Sequence, residues 1–181
     1  MKLKYFTLIV LLFSSIMGIS QEMKKGFTYL ETGKYHEAEN FFILILKEYP
    51  TNKTARLCYG RAVGLNGKSD EAINLFTNLL EDYPNDYEVK LNYAESLLWN
   101  QQYTSAESYY EKLVQEDQKS FSALLGYSNT LSNLKKFDNA MLFVNKALVI
   151  LPKNQNALIS RKYIRLGLAK NKLNGQKYVE A

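Results

Sequence analysis

Alanine recurs at Ala38, Ala72, Ala106 and Ala140, every 34 residues through the middle of this 181-residue chain. Other positions keep step with it. Twelve residues before each alanine stands a small side chain: Gly26, Gly60, Ala94 or Ser128. Four residues after it stands a bulky one: Phe42, Phe76, Tyr110 or Val144. Twelve residues after it stands proline at Pro50, Pro84 and Pro152, with Gln118 as the exception. A period of a few tens of residues is the mark of a stacked array, because each unit leaves an apolar face that only its neighbour can cover. The period therefore fixes the architecture before any other feature is read.

Within one period the signals are those of a helix, a turn, a second helix and a stop. Gly33-Lys34, Asn66-Gly67-Lys68, Asn100-Gln101-Gln102 and Lys135-Lys136 interrupt helical spacing. Second helices are expected over 35–48, 69–82, 103–116 and 137–150. Proline cannot continue a helix and restricts the residue before it, which ends three of the four units. The repeats then span 21–52, 53–86, 87–120 and 121–154. Small residues on the first helix let the two helices approach, and the bulky residue on the second fills the space they leave.

With these residues in place, the chain resembles the tetratricopeptide repeat, a helix–turn–helix unit of 34 residues. The small position of that pattern falls on Gly26, Gly60, Ala94 and Ser128, and its alanine on Ala38, Ala72, Ala106 and Ala140. The Leu-Gly pair of the family departs here to Lys25, Tyr59, Tyr93 and Tyr127 at its first place, and an early bulky position is polar at Glu22, Arg56 and Lys90. The resemblance implies an all-α, right-handed α-solenoid of four repeats plus a long terminal helix. It also implies that first helices line a concave face that holds an extended peptide or a partner helix. Carried over by position, that lining is Leu57, Arg61, Leu65, Leu91, Glu95, Leu98, Trp99, Leu125, Asn129 and Tyr163. Arg61, Glu95 and Asn129 form a polar file at the repeat spacing, and Leu57, Leu91 and Leu125 an apolar one. Arg61 and Asn129 are residue types with which some such proteins grip a terminal carboxylate. Glu95 in the same file argues instead for an apolar or mixed ligand. Against these readings, Arg61 and Glu95 are also placed to pair across repeats, and Trp99 to pack between them.

The two ends differ from the middle. Lys2 and Lys4 precede an apolar run from Tyr5 to Met17, and Gly18-Ile19-Ser20 offers small residues for a signal peptidase. This reads as a signal peptide over 1–20, cleaved after Ser20. The run is short of the roughly 20 apolar residues a spanning helix needs, which disfavours the alternative of an uncleaved anchor. Gln21 rather than cysteine follows, which disfavours lipid attachment. At the far end, a helix is expected over about 155–173, broken by Asn174-Gly175. Lys177-Tyr178-Val179-Glu180-Ala181 then echoes Lys34-Tyr35-His36-Glu37-Ala38. Residues 155–181 thus read either as a capping helix with a tail or as the start of an incomplete fifth repeat in a longer protein.

Charge and chemistry narrow the function. The net charge is +5, but Lys153, Arg161, Lys162, Arg165, Lys170, Lys172 and Lys177 concentrate it at the end against one acid, Glu180. Without Lys2 and Lys4, residues 21–152 are net acidic, so no basic stripe with a reading motif points to nucleic acid. One cysteine, Cys58, and one histidine, His36, leave no disulfide framework, metal cluster or catalytic triad to propose. No phosphate loop or zinc motif occurs, so neither an enzyme nor a cofactor is expected. Asn52-Lys53-Thr54 matches a glycosylation acceptor by chance composition. The expectation is an exported scaffold of a bacterial envelope (periplasmic, outer-membrane-associated or secreted) that binds a protein or peptide and has no membrane span after signal removal. The alternative is a structural spacer or assembly arm that self-associates through the terminal helix.

Overall fold

A computed structural model of the chain describes residues 23–179, with side chains through Leu173. The expected signal peptide over 1–20 lies outside the described residues. Every regular element among the described residues is helical. Helix α1 occupies 23–31, α2 Tyr35–Glu48, α3 Lys53–Leu65 and α4 Ser69–Asp82. Then follow α5 Tyr87–Trp99, α6 Tyr103–Glu116, α7 Phe121–Asn133, α8 Phe137–Ile150 and α9 Gln155–Val179. The second helices α2, α4, α6 and α8 keep the bounds expected from sequence. The chain divides into two compact units, one ending at Leu75 and one beginning at Phe76.

Both kinds of turn repeat with the period. Gly33, Gly67, Gln101 and Lys135, spaced by 34, all adopt positive φ (74°, 89°, 58° and 60°). Each ends its first helix in a Schellman motif. The following N–H reaches back to the carbonyl five residues earlier, as in Lys34 to Tyr29 (2.8 Å) and Lys136 to Leu131 (2.9 Å). The turn between repeats closes on an N-cap. Asn52 Oδ1 accepts from the Ala55 N–H (2.9 Å), Asp86 Oδ1 from Val89 (3.0 Å), Ser120 Oγ from Ala123 (3.4 Å) and Asn154 Oδ1 from Ala157 (3.0 Å). In the sequon, Asn52 therefore already spends its side-chain oxygen on helix α3.

In the first unit, α2 packs along α3, and Met23, Ala38, Phe42, Ala55 and Ala62 form the centre of the core. Gly26 is required there, because a Cβ would overlap the rings of Phe41 and Phe42. Glu39 on α2 accepts hydrogen bonds from Asn66 Nδ2 (2.8 Å) and Lys68 Nζ, riveting α2 to the turn after α3.

In the second unit, each helix packs on its neighbours in sequence from α5 to α9. First helices also touch across repeats, α5 with α7 and α7 with α9, whereas α6 and α8 do not meet. Close spacing on one side and splaying on the other curves this unit so that α5, α7 and α9 line its concave face. Ser128 Oγ donates to the Ala140 carbonyl (2.8 Å) across the buried seam of α7 and α8. Tyr93 and Tyr109 (4.9 Å between centroids) and Tyr127 and Phe143 (4.5 Å) repeat one aromatic contact between first and second helices.

Helix α9 runs unbroken from Gln155 to Val179, whereas the sequence places a break at Asn174-Gly175. Glycine inside a helix costs only about 1 kcal/mol, and it ends one only where the backbone turns left-handed. Gly33 and Gly67 do that; Gly175 lies within α9.

Candidate functional site

On the concave side of the second unit, α5, α7 and α9 with the start of α6 enclose an open cleft of about 390 Å³. Its lining is Leu98, Tyr103, Asn129, Ser132, Asn133, Ser160 and Tyr163. Local sequence explains how each element delivers its side chains. Asn129, Ser132 and Asn133 stand three and four residues apart on α7 and so share a face. The Schellman turn at Gln101 ends α5 just past Leu98 and opens α6 at Tyr103, bringing both to one wall. The N-cap at Asn154 sets the phase of α9, which buries Ala157 and Ile164 and turns Ser160 and Tyr163 toward the cleft.

The lining is uncharged. Asn133 Nδ2 donates to the Asn129 carbonyl (2.9 Å), which fixes the Asn133 amide and leaves its oxygen as an acceptor. Tyr163 is 66% exposed. Glu95 sits on α5 one turn before Leu98 and is half-buried. Where α6 meets α7 at Gly126, burial pushes the phenol of Tyr110 well above its usual range, and the charge of Glu95 adds to the rise.

Of the expected groove residues, Leu98, Asn129 and Tyr163 come together in this cleft. Leu91, Glu95, Trp99 and Leu125 are half-buried on α5 and α7 and do not line it. In the first unit, Arg61 is exposed and Leu65 half-buried on α3. Leu57 corrects the sequence reading: at 2% exposure it belongs to the core and presents no surface to a partner. The reason is that α3 is buried round most of its circumference, at Ala55, Leu57, Cys58, Gly60, Ala62, Val63 and Gly64. Sequence reasoning missed Tyr103, Ser132, Asn133 and Ser160. Ser132 was within reach, because it stands one period after Leu98.

Among the described residues no three His, Cys, Asp or Glu side chains gather as a metal site. His36 Nε2 lies 3.1 Å from Asn40 Nδ2 on the exposed side of α2, and Cys58 is buried and forms no disulfide among the described residues. No described helix is long and apolar enough to cross a membrane.

Helix pairs at a 34-residue period, small residues at the seam and a Schellman turn in each unit define a helix–turn–helix repeat protein. The chain carries tetratricopeptide repeats: family models described as tetratricopeptide repeat match residues 65–126 and 23–52. No curated protein matches the chain. Solved structures share the fold. MamA of AMB-1 is 19% identical with a TM-score of 0.62, over 83% of this chain and 89% of that one. A tetratricopeptide repeat protein from Parabacteroides merdae is 18% identical with a TM-score of 0.58, over 83% of this chain and 60% of that one. The first such domain of Spaghetti (RPAP3), solved bound to the HSP90 peptide SRMEEVD, is 22% identical with a TM-score of 0.58. That match covers 65% of this chain and 93% of that one.

Proposed function

We propose that the chain is a non-catalytic scaffold that holds a segment of a protein partner on the concave face of its repeats, and that it works in a bacterial envelope after export. The observation that carries the reading is the cleft in which Leu98, Asn129 and Tyr163, on three successive first helices, converge with four further polar or aromatic side chains. The peptide seated on the Spaghetti domain supports the class of ligand by likeness of fold. The apolar run over 5–17 and the small residues before Gln21 support export.

The test is capture of partners from an envelope extract with the full chain, repeated with Tyr163→Ala and Asn129→Ala. Partners that bind directly as purified proteins and are lost in both variants support the scaffold. Partners retained by both place the site off this face. N-terminal sequencing of the native protein tests export; an intact Met1 overturns it.

A second reading has its own observation. Ile159, Tyr163, Leu166 and Leu173 fall on one side of α9, at whose edge Tyr163 also lines the cleft, and are 50–66% exposed. Four large apolar side chains on one helix face suit an assembly arm that pairs with another copy. Sedimentation over a range of concentrations separates the readings: a monomer throughout excludes the arm.

A further inference from the structure

We infer that the cleft of the second unit takes an internal, uncharged stretch of extended polypeptide, and not a chain end carrying a free carboxylate. The inference rests on the scaffold reading above and specifies its ligand.

The chemistry of the walls sets the class. Asn129, Ser132, Asn133 and Ser160 present neutral amides and hydroxyls, and Tyr163 and Leu98 present apolar surface. A side-chain amide carries a donor and an acceptor side by side, matching the N–H and C=O of a peptide unit. Asn133 is already oriented by its bond to the Asn129 carbonyl, so its oxygen meets a ligand N–H without further ordering. Hydroxyls at Ser132 and Ser160 serve as donor or acceptor, which suits a backbone that alternates the two.

A carboxylate fares badly in the same place. Among the described residues no lysine or arginine lines the cleft, so an anion would exchange its hydration for neutral donors alone. A cationic ligand gains no carboxylate in the lining either. Binding without charge pairs is also nearly blind to salt, because screening acts on charges.

The experiment selects ligands for the immobilised full chain from two random-peptide libraries. One displays the segment inside a loop and the other displays it with a free C-terminal carboxylate. Winners are made as acetylated, amidated peptides and titrated by calorimetry at about 50 and 500 mM NaCl. The expected result is uncharged winners from the loop format, with Kd changing less than about twofold with salt and rising at least about tenfold in Tyr163→Ala. Tyr163 is exposed, so that variant leaves the core intact; Asn129→Ala is the second check, with circular dichroism to confirm its fold. Winners that are acidic, or that need the free carboxylate, yet lose binding in both variants overturn the inference and leave the scaffold reading standing. Winners indifferent to both variants overturn the scaffold reading at this face, and the inference with it. No enrichment in the loop format also overturns the inference.

Discussion

Tyr110 is the most informative residue to change. It is fully buried between α6 and α7, and its hydroxyl has no hydrogen-bond partner. The positions one and two periods earlier are Phe76 and Phe42, equally buried. A Cβ on the facing Gly126 would overlap the phenol end of the ring, so the hydroxyl sits tight against α7. A buried polar group left without a partner costs about 1–3 kcal/mol. Tyr110→Phe removes that cost and leaves a gap of a single oxygen, so the variant is expected to gain about 1 kcal/mol. The assay is urea unfolding followed by Trp99 fluorescence and by far-UV circular dichroism. With an m-value of about 2 kcal/mol/M, the midpoint rises by about 0.5 M at unchanged m. The pH profile gives a second readout. The phenol ionises far above its ordinary value in the folded chain and near it in the unfolded chain. The native protein therefore loses stability as pH climbs past the ordinary tyrosine value of about 10, and the variant loses less. A midpoint that falls on removal of the hydroxyl would refute the reasoning, since it would mean that the group is hydrogen-bonded and contributes to stability.

Lys135→Gly is expected to raise stability by about 0.4–1 kcal/mol, because a non-glycine residue there holds positive φ; a thermal melt reads it, and a loss of stability refutes it. Asp86→Ala removes the cap of α5 and should cost about 0.5–2 kcal/mol in denaturant unfolding. Burial raises the carboxyl pKa of Glu39, but hydrogen bonds from Lys68 and Asn66 outweigh it, so the group lies below its ordinary range. Its stabilisation is complete above the ordinary glutamate value of about 4.3 and fades as pH falls through the lower folded value. Glu39→Gln should thus flatten the acid limb of the stability profile, and an unchanged acid limb would refute the assignment.

What was legible follows from which residues act locally. The alanines, the small seam residues and the bounds of α2, α4, α6 and α8 could be read because each is dictated by its own repeat. Gly33 and Gly67 were legible as breaks in helical spacing; Gln101 and Lys135 make the same left-handed turn without glycine, and the period points to them. The N-caps at Asn52, Asp86, Ser120 and Asn154 were hidden among ordinary turn residues, although they too stand 34 apart. The cleft was half legible. Asn129 and Tyr163 stand one period apart in the polar file and Leu98 came from the first-helix lining, but Tyr103 belongs to a second helix and Ser160 depends on the phase of α9. Leu57 failed for the converse reason: equivalence of position does not guarantee equivalence of exposure.

Helix α9 joins stability to function and decides how both can be tested. One period after Ser128 and Leu131, which α7 buries, α9 carries Lys162 and Arg165, both exposed. That side of α9 is charged where earlier first helices receive their own second helix. Its opposite role is structural, since Ala157 and Ile164 are fully buried and Gly167 admits the ring of Phe137 from α8. The same helix supplies Ser160 and Tyr163 to the cleft. Removing α9 would therefore uncover the core of the fourth repeat, delete a wall of the cleft and erase the exposed apolar side at once. A truncated chain that lost a partner, or that changed its oligomeric state, would not say which of the three mattered. Point changes on the exposed side do. Leu166→Glu leaves the buried face and the cleft lining untouched, so it should abolish any self-association while ligand binding survives. Tyr163→Ala should weaken ligand binding with α8 still packed on α9. If instead Leu166→Glu dissolves both activities together, the cleft and the outward side form one surface, and the ligand of the scaffold is then a second copy of this chain.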